Sequence, residues 1–227
     1  MNNYRQPIDI LQEKLDKDLS WRKKEISNLL LHIDSQEGSL QIALIRGAIT
    51  ILYAHWEGFV KVASIKYLEY VCNQGYSLAE LTHNFSYITL GKKFPHNQVS
   101  MNSYRCQKEI FDYIHTQHQN EKLQISPKDT IKTHSNLTFK HFKIIGQQLG
   151  IDISWYSTKE NFIDKCLLAL RNPIAHGEFR NDGQLLKEFN QMKQHTLDCI
   201  EKFKDLIINA SENQEFLRET PPLDEMK

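Results

Sequence analysis

Apolar positions in the first third of the chain recur at helical spacing. Ile8, Leu11, Leu15, Leu19, Ile26, Leu29, Leu30 and Ile33 are separated mostly by threes and fours, with one step of seven, which makes a single stripe on an α-helix. The stripe predicts a helix from about Asp9 to Asp34, with Asp9 behind Pro7 as a candidate cap. Gln36-Glu37-Gly38-Ser39 is a short polar turn, so the next helix is expected as an antiparallel neighbour. That second helix, from about Ser39 to Asn73 and ended by Gly75, is apolar over a wide arc. Such an arc belongs to a central helix covered on several sides.

Between Tyr76 and Ser154 the pattern loosens. Short helices are expected over Ser77–His83, Tyr104–His118 and Leu137–Leu149, the last stopped by Gly150. Gly91, Pro95, Asn97 and Ser126-Pro127 punctuate them. Ser157-Thr158-Lys159-Glu160 has the form of a capping box, ahead of a stripe of Phe162, Ile163, Cys166, Leu167 and Leu170. The last helix is expected after Asn181-Asp182-Gly183. Its Leu185, Phe189, Met192, Thr196, Cys199, Phe203 and Leu206 alternate steps of four and three, a coiled-coil-like seam read as core packing, with a partner surface as the alternative. After about residue 210 the charged, proline-containing end is expected to fray. The fold class is therefore all-α: a single up-and-down helical bundle over residues 1–227, with a helical insertion at about 75–155 between core helices.

Composition changes this picture little. The chain has 227 residues, 40% of them hydrophobic, enough for one domain with a real core. Lys+Arg and Asp+Glu both number 28, so no global polycation advertises a nucleic-acid partner, but local charge decides such contacts. Lys92 to Lys143 carries nine Lys/Arg against four Asp/Glu, with five histidines, and is a candidate RNA track. From Asp198 onward eight Asp/Glu oppose four Lys/Arg, read as a solvated face. Cys72, Cys106, Cys166 and Cys199 form no C-x-x-C pair, and no signal peptide is recognisable, so a reduced, cytoplasmic protein is expected. Cys166 and Cys199 are expected as buried small hydrophobes. No apolar run approaches the roughly 18 residues of a membrane span. His115 and His118 share a helix face, with His134 and His141 later, but no cysteine or carboxylate cluster completes a zinc site. No metal or cofactor is expected.

The chemistry gathers at Leu167-Leu168-Ala169-Leu170-Arg171-Asn172-Pro173-Ile174-Ala175-His176-Gly177-Glu178. Proline disfavours the α region for the residue before it and suits a first helical turn. A helix break at Asn172-Pro173 is therefore expected, with Asn172 as N-cap and Pro173 as the first residue of a new turn. Arg171 and His176 would then come together, as the two ends of a hydrophobic staple do, beside free backbone N–H groups suited to a phosphate. A cation, a proton-transfer group and exposed amides are what phosphodiester cleavage needs. The plainer alternative is ordinary helix termination with His176 on the surface.

Arg171-Asn172-x-x-x-His176 resembles the R-x4–6-H motif of the HEPN superfamily. The following Gly177-Glu178, and Leu52-Tyr53-Ala54-His55-Trp56-Glu57-Gly58-Phe59-Val60-Lys61, resemble the RiboL-PSP-type HEPN nucleases of prokaryotes. The resemblance covers the second, motif and last helices. It implies a metal-independent endoribonuclease acting on single-stranded RNA, in which the 2′-hydroxyl attacks its own phosphate to leave 2′,3′-cyclic phosphate and 5′-hydroxyl ends. His176 would move the proton, Arg171 would neutralise the phosphorane, and Asn172 would fix the geometry. Glu57 and Lys61, with His55 and Trp56 beside them, would orient this pair from behind. The reaction wants an acid and a base while the motif offers one histidine, so a two-fold homodimer is expected. A toxin–antitoxin or phage-defence setting follows from the same resemblance, with an antitoxin or defence-system protein as partner. The rival is a catalytically inert interaction module on the same fold.

Overall fold

In the structure, a computed structural model, residues 6–95, 103–178 and 185–219 are described. Helix α1 (Pro7–Asp34) and helix α2 (Gly38–Gln74) are joined by a tight turn in which Gly38 takes φ 63°. They run antiparallel, with Gln41 reaching the Ile33 carbonyl and Arg22 reaching His55. A helical segment that ends in α7 (Ala169–Ala175) runs back along α2, Arg171 lying beside Tyr53 while the following Glu178 meets Arg46. Helix α8 (Leu185–Glu212) runs antiparallel to α1, as the Lys204–Asp16 and Lys23–Glu201 ion pairs register. The four core helices therefore alternate in direction. The bundle is up-and-down, and among the described residues there is no strand, only two isolated bridges.

The stripe of α1 is buried as its spacing predicts, through Leu11, Leu15, Leu19, Ile26 and Ile33. The step of seven is filled by Arg22, which is only 5% exposed. Its guanidinium pairs with Asp18 at 2.7 Å and donates to the His55 carbonyl at 3.3 Å. It lies so close to α2 that a Cβ on Gly58 would stand 3.0 Å from Arg22 Nη1. Glycine at position 58 is thus a matter of clearance for a buried charge. Asp9 does not cap α1 from outside. It sits in the first turn and accepts the Gln6 N–H at 3.1 Å.

Helix α2 is covered from several directions, and Trp56, Phe59, Val60, Ala63, Tyr67 and Leu68 are all fully buried. The seam of α8 packs on it, including Phe189, Cys199 and Phe203. Between α2 and the motif stand α3 (His83–Lys93), α4 (Tyr104–Thr116), α5 (Pro127–Thr130) and α6 (Phe139–Leu149). Of these, α6 belongs to the centre. Phe142 meets Trp56, Phe203 and Tyr156 with ring centroids 5.1, 5.4 and 4.8 Å apart, each pair adding about 0.5–1.5 kcal/mol beyond area burial.

Several local expectations are corrected. Ser77–His83 is a turn, because Glu80 takes the Ser77 N–H and hydroxyl and Leu81 pairs with Leu217. The helix begins only at His83. Ser157 caps nothing: Asp152 accepts from Ser154 N and Oγ, starting a 3-10 turn over Ser154–Lys159. Cys166 is exposed although Cys199 is buried. The segment Phe162–Leu168 that contains it is π-helical, and its wider i→i+5 ring brings positions four and five later onto one face. Ile163, Leu167 and Leu168 are accordingly the buried ones, and position 166 turns outward. The end does not fray at 210. Helix α8 runs to Glu212, Phe216 is buried against Tyr70 and Tyr76, and Arg218 donates to the Leu78 and Leu81 carbonyls. The expected turns at Asn97 and Asn181-Asp182-Gly183 lie outside the described residues. Among the described residues no helix is long and apolar enough to cross a membrane.

Candidate active site

The Arg171–His176 stretch is built differently from the expected break. Helix α7 continues from the π-helical segment through Asn172 and Pro173 without interruption. It ends at His176 with a left-handed Gly177, φ 82°. Gly177 N donates to the Ile174 carbonyl at 3.1 Å and Glu178 N to the Pro173 carbonyl at 2.9 Å, the paired bonds of a Schellman ending. Asn172 is thus not an N-cap, and the end beside His176 presents carbonyls, so the proposed amide cradle for phosphate is absent there. Proline lacks the N–H for its helical bond and crowds the carbonyl four residues back. The helix accommodates it within its short α-wound stretch, just after the π turns.

With the helix continuous, five residues turn Arg171 and His176 about 140° apart. Arg171 points inward, towards α2, and His176 is exposed, its backbone N–H bonded to the Asn172 carbonyl while its side chain hydrogen-bonds to none of the described residues. The structure does not bring the two side chains of one chain together.

What it does bring together is a cleft of about 290 Å³ lined by Thr50, Tyr53, Ala54, Glu57, Gly58, Lys61 and Arg171. On α2 these positions recur at threes and fours, so Glu57 and Lys61 do lie behind Arg171. They do not pair with each other. Glu57 instead acts on Tyr53, whose phenol is pushed up by burial first and then by the Glu57 carboxylate, against the Leu137 N–H and Arg171. Arg171 is the charge that α7 brings to the Glu57 and Lys61 of α2. Its Nη1 donates to Asn172 Oδ1 at 3.0 Å and Asn136 Oδ1 at 3.3 Å, its guanidinium lies 5.3 Å from the Tyr53 ring centre, and its Nε is buried without a hydrogen-bond partner.

His55 and Trp56 are elsewhere, a correction that helix geometry explains: they are neighbours of Glu57 in sequence but not around the helix. His55 faces α1, its Nε2 3.0 Å from Glu25 and its ring edge-on to Trp21. Burial, and then Arg22, hold its pKa below the usual histidine value. Trp56 is in the core against Phe142.

Asn136 is the partner that sequence reasoning missed. It stands in the loop between α5 and α6, and the chain just after it is anchored: Leu137 N donates to Tyr53 Oη at 2.6 Å and Phe139 N to Asp164 Oδ1 at 2.8 Å. The Asn136 carbonyl lies 3.1 Å from His141 Nδ1, and the His134 ring stacks on His141. Arg46 was missed as well. One turn before Thr50 on α2, it donates to the Glu178 carbonyl at 2.6 Å and ties down the chain just beyond His176. Among the described residues no three His, Cys, Asp or Glu side chains converge as a metal site.

The description of MAE_28990-like HEPN domains matches residues 11–216. The chain belongs to this HEPN family. The match runs from α1 across α7 to the hook beyond α8, and it includes residues 75–155, where the resemblance of the sequence was weakest. No curated protein and no solved structure matches the chain. HEPN proteins are often ribonucleases, and the all-α bundle is consistent with the HEPN fold.

Proposed function

We propose that this HEPN protein is a metal-independent endoribonuclease that cleaves single-stranded RNA by attack of the 2′-hydroxyl on its own phosphate. The observation that supports this most is Arg171 itself. A guanidinium placed in a cleft on neutral amide oxygens, with a buried Nε left without a partner, is suited to an anion that the protein does not supply. Arg171 neutralises charge on the phosphorane. Asn172, which accepts from its Nη1, fixes the plane of the guanidinium. Tyr53, Glu57 and Lys61 form the wall behind it, and His55 and Trp56 have no part. His176 moves the proton, and its exposure leaves it open to substrate.

The divergence of Arg171 and His176 favours a homodimer. A two-fold interface presents the same patch twice, so both Arg171–His176 pairs can come to one cleft, the exposed His176 of one protomer beside the Arg171 of its partner, which doubles the acid–base groups there. The family resemblance suggests a toxin–antitoxin or phage-defence setting, with an antitoxin or defence-system protein as partner.

The test is RNA digestion in the presence of a chelator, with end-group analysis, beside His176→Ala. The expected result is 2′,3′-cyclic phosphate and 5′-hydroxyl ends from the wild type and none from the variant. An inert wild type would favour the interaction module, and unchanged cleavage by a folded His176→Ala protein would remove the histidine from the mechanism. Mixing Arg171→Ala and His176→Ala protomers, each inactive alone, is expected to recover part of the activity. Full wild-type cleavage where sedimentation finds only monomer would overturn the shared cleft.

A further inference from the structure

We infer that the His134–His141 ring stack is a platform for a base of the RNA strand, one or two nucleotides from the phosphate at Arg171. The inference rests on the ribonuclease reading above and adds a binding subsite to it. Its basis is a chain of contacts that starts at Arg171 and ends at an open ring. Asn136 receives Arg171 Nη1 on its side-chain oxygen, and its backbone carbonyl lies 3.1 Å from His141 Nδ1. A carbonyl can only accept, so Nδ1 carries the proton and the ring plane of His141 is set. His134 lies on that ring, centroids 4.4 Å apart and planes 29° apart. His141 is half-buried and His134 exposed. The stack is therefore fixed at its inner end and open at its outer one.

Two further features fit a nucleic-acid strand. His134 holds φ 56°, a left-handed conformation that is uncommon for a residue with a side chain and that gathers at ligand sites. Downstream of it the loop is anchored by the bonds of Leu137 to Tyr53 and of Phe139 to Asp164. From Ile131 to Leu149 the chain has no Asp or Glu but has Lys132, Lys140 and Lys143. All three are exposed, and none forms an ion pair with a described residue. Unpaired bases stack on exposed rings, and flanking cations track the backbone. A flat ring surface beside unneutralised lysines, one residue away from the cleft arginine, has the elements of such a site.

The left-handed backbone supplies a clean variant. Glycine is at home at φ 56°, so His134→Gly removes the ring while preserving the loop, and His134→Phe restores a ring without its nitrogens. Binding is measured to a single-stranded 2′-O-methyl oligonucleotide of mixed sequence, which cannot be cleaved through its 2′-oxygen, and cleavage is measured on unmodified RNA of the same sequence. His134→Gly is expected to melt close to the wild type and to bind roughly 5- to 150-fold more weakly, the range for loss of one base–ring stack. His134→Phe is expected to bind close to the wild type. Unchanged binding by His134→Gly would overturn the platform, and so would His134→Phe binding as weakly as His134→Gly. A wild type that binds the oligonucleotide but does not cleave RNA would defeat the ribonuclease reading, while the same two variants would still decide the platform. A wild type that does neither overturns both.

Discussion

The molecule contains two arginines drawn away from solvent against different faces of α2, which meet at Gly58, and their surroundings are opposite in kind. Arg22 is paired with Asp18 at 2.7 Å, bonded to the His55 carbonyl and nearly sealed, with Gly58 cleared to admit it. Arg171 is half-buried on two amide oxygens and an aromatic face, with Nε left without a partner and no carboxylate paired to it. A buried charge is costly unless it is paired. The Arg22 side meets that requirement from within the chain and is complete. The Arg171 side meets it only in part, and a phosphate would complete it. On the proposed reading, the difference separates a cation that holds two helices together from one kept for something outside.

The comparison can be broken most directly at Arg171. Arg171→Ala is expected to lower RNA cleavage by roughly 100- to 1,000-fold, the scale for one group that stabilises developing charge. Its melting transition should move little, since only bonds to neutral amides are lost. Arg171→Lys should not restore full activity, because a point charge does not replace a planar fork. A cleavage assay and a thermal melt on the same preparations check both halves. A large loss of stability with unchanged activity would place Arg171 in the same class as Arg22.

Arg22→Ala should show the reverse. Removing one member of a buried pair costs up to about 3–5 kcal/mol, and the partial exposure of Asp18 reduces this to about 2 kcal/mol. Denaturant titration measures it. Cleavage per folded molecule should stay near the wild-type value. Glu57→Gln comes next, with folding kept and cleavage down by roughly 10-fold, as for the loss of a group that orients a functional residue. Steady-state cleavage with a melt as control would show it, and unaltered activity would remove Glu57 from the site.

The smallest effect expected is on pH. His55 has its pKa lowered in the fold by burial and by Arg22, so the unfolded chain takes up its proton at a higher pH than the folded one does. Stability from this group is therefore present above the ordinary histidine pKa of about 6.5 and falls as pH drops below it. Thermal melts between pH 7.5 and 5 should show a decline that His55→Gln makes shallower. An equally steep decline in the variant would assign the effect elsewhere.

Much of this contrast was legible in the sequence, but unevenly. The stripe of α1 and the seam of α8 depend on local periodicity, so they read correctly. The step of seven at Arg22 was a visible sign of something polar in the stripe. His55 was grouped with Glu57 although two residues turn side chains about 200° apart on a helix, and the structure puts them on different sides of α2. The turn at Asn172-Pro173 misled because proline rules are statistical and local, whereas continuous helical winding through Leu168 carries α7 past Pro173. Asn136 was out of reach. It lies 35 residues before Arg171 in a segment with no clear period, and a contact across that distance depends on how α6 packs against Trp56 and Phe203.

The hook after α8 bears on timing. Synthesis delivers α1 and α2 first and the motif helix later, but the seam of α8 that covers α2 comes only after residue 185. The donors for the carbonyls of Leu78 and Leu81 come later still, with Arg218. Contacts between α2 and α8 span well over a hundred residues, the kind of long-range closure that slows folding. A chain still on the ribosome can therefore hold residues 171–176 before it can close its core. The core around α2 closes only once α8 and Arg218 have been made, so the cleft that α2 lines waits on residues synthesised well after its own.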